Sequence, residues 1–129
     1  MLAFAVFVGA GVGGLARHGI GGWAQAAGQT GFPWATLLIN VTGSLLLTFV
    51  YGVLDADSMP VWRAFLGVGV LGGFTTFSTF SLDAVRLAQD GHWERALAYA
   101  VSSVGLSLGG AVLGLRLADA LTGALVRRG

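Results

Sequence analysis

The sequence predicts an all-α membrane protein with four transmembrane helices per subunit, the third broken near its middle. Three observations carry that prediction. Composition is the first: 55% of the 129 residues are hydrophobic, 10% are charged and lysine is absent, with a mean hydropathy of +0.79. Length is the second, because four stretches, approximately 2–22, 33–54, 61–88 and 95–117, can each cross a hydrocarbon core of ~30 Å. The third is the run Gly72-Gly73-Phe74-Thr75-Thr76-Phe77-Ser78-Thr79-Phe80 inside the third stretch. Adjacent glycines weaken a helix by roughly 1 kcal/mol each relative to alanine, and the hydroxyls after them can bond to backbone locally. A break near 72–76 follows.

The first span has no basic leading region and carries Arg17-His18 towards its far end, so it reads as a true span rather than a cleaved signal. Arg17 either snorkels to the interface or sets a positive charge in a vestibule. In the second span Asn40 sits at mid-helix, flanked by Leu37-Leu38-Ile39 and Val41, where an amide must find a partner. Thr36 and Gly43 share its face. Asn40 is therefore either part of a polar lining or a clamp between helices.

The third span holds the break, and irregular backbone at membrane depth is tolerated only where protein buries it or a wet cavity receives it. This points to an ion or substrate path. Phe77 and Phe80, three apart, share a face if the helix resumes, and bracket Ser78-Thr79. Their electropositive ring edges can face a small anion, or the rings can simply pack. Asp83 and Arg86 form a surface pair or line a mouth. Along the fourth span Tyr99, Ser103 and Ser107 recur every four residues, which is either a track of hydroxyls or a set of side chains bonded back to their own helix.

The connections near 25–31, 55–60 and 89–94 leave no room for a soluble catalytic unit, so residues 1–129 read as one transmembrane domain. No phosphate-cradling loop or nucleophile–base pair is present, which argues against an enzyme. Asp90, His92 and Glu94 read as a solvated loop. The arginines are scattered, with only Arg127-Arg128 adjacent, so nucleic acid is not an expected partner. The acidic residues all map to ends or loops, which disfavours proton-coupled export and favours a passive route through a neutral lining suited to a small anion.

Four such helices leave no wide lumen, so a path calls for a second copy. Glycines spaced by four, Gly9/Gly13, Gly69/Gly73, Gly105/Gly109 and Gly110/Gly114, permit close approach within or between subunits. Arg63, Arg116, Arg127 and Arg128 fall on one side and Arg17, Arg86 and Arg95 on the other; four against three is almost no orientation bias. Such a chain can insert both ways up and pair antiparallel. A small four-helix multidrug exporter and a non-conducting structural protein are the competing readings.

Three motifs carry a family resemblance that spans essentially the whole chain. The third-span run through Ser81 reproduces the GGxTTFSTFS signature of the Fluc (CrcB) family of small bacterial fluoride channels, with Asp83 where that family more often has Glu. Thr36-Leu37-Leu38-Ile39-Asn40-Val41-Thr42-Gly43 resembles its TLxVNxxG, and Gly9-Ala10-Gly11-Val12-Gly13-Gly14-Leu15-Ala16-Arg17 is similar to GGxxGAxxR, with Ala10 and Gly14 departing and His18 replacing an aromatic.

The resemblance implies a dual-topology antiparallel homodimer in the bacterial inner membrane with two fluoride pores, passing fluoride passively out of the cytoplasm. Asn40 would contact the anion, Phe77 and Phe80 would offer ring edges, Ser78 and Thr79 hydroxyls beside them, and Tyr99, Ser103 and Ser107 the polar track. A structural sodium ion at the dimer centre would be held by the backbone carbonyls of Gly72 and Thr75. Arg17 would be vestibular or structural, and Asp83 takes the position of the family's acidic residue.

Overall fold

Four helices long and apolar enough to cross a membrane make up the computed structural model, which describes residues 1–28 and 31–126. Arg127 and Arg128, counted above in the charge balance, lie outside the described residues. Helix α1 spans Leu2–Ala26 and α2 spans Trp34–Val53. The third span, Pro60–Gln89, comes in pieces: α3 (Pro60–Arg63), a π-helical segment (Ala64–Leu71), α4 (Gly72–Phe74) and α5 (Phe77–Gln89). Helix α6 closes the bundle over Trp93–Val126.

Most helices outrun the apolar stretches because hydropathy marks only what hydrocarbon covers, whereas backbone hydrogen bonding continues into the interface. The connections are tied locally. Asp55 accepts from the Asp57 and Ser58 amides at 3.0 and 2.8 Å and from the Ser58 hydroxyl at 3.0 Å. Those bonds, the Ser58 amide's first, hold its carboxyl below the usual carboxylate range. Pro60 opens α3 at a position where a missing N–H costs nothing. Helix α5 ends at Gln89, and Gly91 past its cap takes φ +83°, with His92 N–H bonded to Leu87 O at 2.8 Å and Gly91 N–H to Ala88 O at 3.1 Å. This paired termination reverses the chain into α6 within three residues, Asp90, Gly91 and His92.

The break falls slightly later than its glycines. Gly72 and Gly73 remain helical, and the chain turns extended at Thr75 (ψ 157°) and Thr76 (φ −153°, ψ 113°). Gly73 serves close packing instead: a Cβ there would lie 2.6 Å from Ala10 O. Gly9, Gly13 and Gly69 do the same along the crossing of α1 with the π-helical segment, where a Cβ on Gly9 would meet Phe65 O at 2.5 Å and one on Gly13 would overlap Val70 O. Gly110 and Gly114 let α6 lie against Val41 and Leu45 of α2, while Gly105 and Gly109 have open space around them.

The core is small and sits at one end, where Leu37, Leu87, Ala96 and Tyr99 are buried together with Phe32 and Phe80 packed against them. Large apolar side chains such as Phe7 (76% exposed) and Leu15 (73%) cover the outside instead. That arrangement suits lipid as solvent.

Gly13→Val should force α1 off the third span and cost about 1–3 kcal/mol. Thermal unfolding in detergent is expected to show a lowered midpoint, whereas Gly11→Ala, which faces open space, should not lower it.

Candidate functional site

Asn40 governs the break. Its Oδ1 accepts the Thr76 N–H at 2.8 Å and its Nδ2 donates to the Thr76 carbonyl at 3.0 Å, so one side chain reads both backbone groups of one extended residue. The clamp considered from sequence is realised inside one subunit. Thr76 then caps α5, its Oγ1 accepting from the Thr79 amide at 3.2 Å and lying 3.1 Å from Thr79 Oγ1 and 3.2 Å from Ser78 Oγ. Thr75 N–H and Oγ1 both return to Leu71 O, at 3.1 and 3.0 Å. Gly43 is small because Thr75 Cγ2 occupies the space of its missing Cβ.

These bonds have a consequence for the carbonyls. In an unbroken helix the Thr76 amide would bond Gly72 O, and the Thr79 amide would bond Thr75 O. Asn40 takes the first amide and the Thr76 hydroxyl takes the second. Gly72 and Thr75 are thereby left with carbonyls that lack their helical donors, at a depth where such groups need another partner.

A cleft of about 330 Å³ opens beside the break. Asn40 and Ser44 line it from α2, Thr75, Thr76, Phe77 and Phe80 from the third span, and Ser103 and Ser107 from α6. Phe77 is 77% exposed, and its ring centroid lies 5.3 Å from that of Phe80. Phe80 in turn stands 5.3 Å from Tyr99.

The hydroxyls sort into two groups. Thr42, Ser81, Ser102 and Thr122 bond back to the carbonyls of Leu38, Phe77, Ala98 and Ala118, at 2.6, 2.9, 2.6 and 3.0 Å. Ser103 does not. Its Oγ is buried with no partner at hydrogen-bonding geometry, and the Tyr99 hydroxyl one turn before it donates to Asp83. A buried unspent hydroxyl facing a cleft is a site that can receive an acceptor.

Tyr99 itself belongs to a different assembly. Fully buried, it donates to Asp83 Oδ2 at 3.4 Å, and Thr36 Oγ1 donates to the same oxygen at 2.8 Å. The stripe of three hydroxyls is thus divided, with Ser103 and Ser107 on the cleft and Tyr99 in an Asp83-centred network joining α2, α5 and α6. Ser78 is exposed and is not among the cleft-lining residues, and Thr79 faces elsewhere.

Thr79 lines a second cleft, of about 390 Å³, together with Arg17 and His18 of α1, Thr36 of α2, and Thr76. Arg17 Nε is buried there without a hydrogen-bond partner. A third cleft shares Thr36 and Thr79 and adds Asp83, Arg86, Asp90 and His92. Thr76 is common to the first two, so it stands between an arginine-bearing cleft and the neutral one.

Two residues of the site, Thr76 and Ser44, escaped the sequence reading as participants, while Thr36 was placed only as a neighbour of Asn40. Thr76 carried a signal, a threonine just before a helix restart, which is a preferred N-cap. Ser44 and Thr36 each stand four residues from Asn40 on its own helix face.

Against families of known proteins, residues 4–115 match the model described as "CrcB-like protein, Camphor Resistance (CrcB)". The chain belongs to the CrcB family. Among curated CrcB relatives, a protein of Granulibacter bethesdensis is 48% identical over 118 residues, 90% of this chain and 93% of its own length. One from Beijerinckia indica is 46% identical over 121 residues (91% and 95%), and one from Thermus thermophilus 44% over 123 (92% and 94%). Each is named "Fluoride-specific ion channel FluC". The family match agrees with the resemblance read from the three motifs, and with four apolar helices it makes the chain a multi-pass membrane protein.

Asn40→Ala would leave both backbone groups of Thr76 without their partner. At about 1–3 kcal/mol for each unsatisfied group, a large drop in unfolding midpoint in detergent is expected, and an unchanged midpoint would contradict the clamp.

Proposed function

We propose that this CrcB-family chain is a fluoride-selective channel, not an enzyme, that lets fluoride leave the bacterial cytoplasm across the inner membrane down its gradient, through two pores in an antiparallel homodimer. The observation that carries the reading is the neutral cleft beside the break, with a buried, unspent Ser103 hydroxyl at its wall. Fluoride is small and holds its water tightly, so a path must offer hydrogen-bond donors in series and none that bind too firmly. Neutral donors meet both conditions.

The roles follow from position. The Asn40 amide spends one N–H on Thr76 O and has a second to offer. Ser103 and Ser107 supply hydroxyls further along, and Phe77 and Phe80 present rings whose edges stabilise an anion weakly. Arg17 in the vestibule raises the local anion concentration without standing at the narrowest point. Tyr99, Ser78, Thr79 and Asp83 act around the path: the first and last fix α5 against α2 and α6, while Ser78 and Thr79 complete the hydroxyl cluster on Thr76.

Dimerisation has its own support. The cleft is not enclosed, Phe77 on its wall being 77% exposed, and its few polar groups, such as the Asn40 amide and the Ser103 hydroxyl, are unfavourable beside hydrocarbon unless protein covers them. A second copy inverted in the bilayer would close it, and the near balance of arginines permits that insertion. Two breaks would then approach each other, each with Gly72 and Thr75 carbonyls deprived of helical donors. Hard, neutral oxygen ligands of this kind fit a sodium ion, and the residues present match that role. The cation would supply compensation for their dipoles, holding the two breaks together.

Purified protein in liposomes, followed with a fluoride electrode, is expected to release fluoride rapidly and chloride little, with Phe80→Ile strongly reduced. Chloride leaving as fast as fluoride would contradict selectivity, and vesicles that retain fluoride would contradict the channel reading. Replacing sodium by a bulky organic cation should lower dimer stability in detergent; an unchanged dimer would remove the cation assignment.

A further inference from the structure

Helices α2 and α6 run in the same direction and keep one register along most of their contact. Thr48 Oγ1 donates to Ala111 O at 2.9 Å across a separation of 63 residues. The same offset pairs Thr36 with Tyr99, and those two meet at Asp83. It also pairs Asn40 with Ser103 and Ser44 with Ser107, all four of which line the neutral cleft. Polar side chains therefore stand on both helices at every fourth position, not on α6 alone.

Within this ladder the hydroxyls differ in what they have left to give. At the Asp83 end, Thr36 and Tyr99 are committed to the carboxylate. At the opposite end Thr48 is committed to carbonyls, those of Ser44, Leu45 and Ala111, at 3.1, 3.0 and 2.9 Å. Between them, among the described residues, the Ser103 hydroxyl has no partner and Ser44 bonds to no carbonyl of its own helix, unlike Thr42 two residues before it. Geometry explains why the series stops at Thr48. A step of four residues turns about 40° past a full helical turn, so a stripe that faces the cleft at Asn40 and Ser44 has rotated into the α2–α6 contact by Thr48.

We propose that Ser44 is a contact for the permeating anion, forming with Ser107 a tier of donors one helical turn beyond Asn40 and Ser103. The path is then two-sided, and the ion moves from an amide–hydroxyl pair to a hydroxyl–hydroxyl pair without leaving the space between α2 and α6. Leu47 and Leu108, beyond Ser44 and Ser107 along their helices, also line the cleft, and the next hydroxyl, Thr48, is already spent on carbonyls, which makes the Ser44–Ser107 tier the last pair of free donors in the series. The proposal rests on the channel reading above.

The test is fluoride efflux from liposomes. Ser44→Ala is expected to slow efflux about tenfold, the consequence of one lost hydrogen bond to a charged species, and Ser44→Thr to recover most of the rate. Thr42→Ala, whose hydroxyl is spent on its own helix, serves as a control at the wild-type rate. Ser44→Cys keeps the volume with a weaker donor and guards against a folding defect; it should also be slow while eluting as the wild type on size exclusion. Wild-type efflux in Ser44→Ala or Ser44→Cys would overturn the proposal, as would a Ser44→Thr variant as slow as Ser44→Ala, which would make Ser44 a packing residue. Failure of the wild type itself to release fluoride would instead overturn the channel reading.

Discussion

A single side chain holds open a helix that the bilayer would otherwise force shut. In hydrocarbon every backbone N–H and C=O needs a partner, so a break at Thr75 and Thr76 is affordable only because Asn40 supplies a donor and an acceptor to the same residue. The rest of the site is arranged around that substitution. Thr76, freed from the ladder, caps α5; the amides captured by Asn40 and Thr76 leave the Gly72 and Thr75 carbonyls available; and α5 restarts with Phe77 and Phe80 on the cleft. The Asp83 network adds a second fixture, tying α5 to α2 and α6 beyond the break.

Glycine plays two separate parts in this fold. At Gly9, Gly13, Gly69 and Gly73 the missing side chain lets backbones touch, which welds α1 to the first half of the third span. At Gly105 and Gly109 nothing in the subunit comes near. Small residues on an open helix face leave room for another backbone, and they lie on the same helix as Ser103 and Ser107. The welded half and the open half divide the molecule into a scaffold and a surface.

Much of this was legible in the sequence because the bilayer imposes simple rules on composition and length. The four spans follow from hydropathy alone, and the broken third span from a glycine and hydroxyl run that no plain membrane helix would contain. The exact point of the break was not legible, since it depends on Asn40, 36 residues earlier, selecting Thr76. Nor could the phase of α5 be read: once a helix stops, the cap decides which side chains face inward, so Ser78 and Thr79 could not be assigned to the cleft or away from it by spacing. Spacing on α6 likewise could not show that Tyr99 also reaches Asp83, because that contact depends on how α5 packs against α6. Ser44 was overlooked although it lies one turn from Asn40, since a shared face alone does not say which neighbouring helix that face meets.

The position of Thr76 on both the arginine-bearing cleft and the neutral cleft bears on how voltage acts on this molecule. Two recesses that share a lining residue bring their walls together at Thr76, and the electric field concentrates where the insulator is thinnest. For a monovalent ion the work is about 2.3 kcal/mol per 100 mV, so most of that work would be done in the step past Thr76 and Asn40. Substitutions there should alter the curvature of a current–voltage relation, whereas changes deep in either recess should chiefly alter its scale.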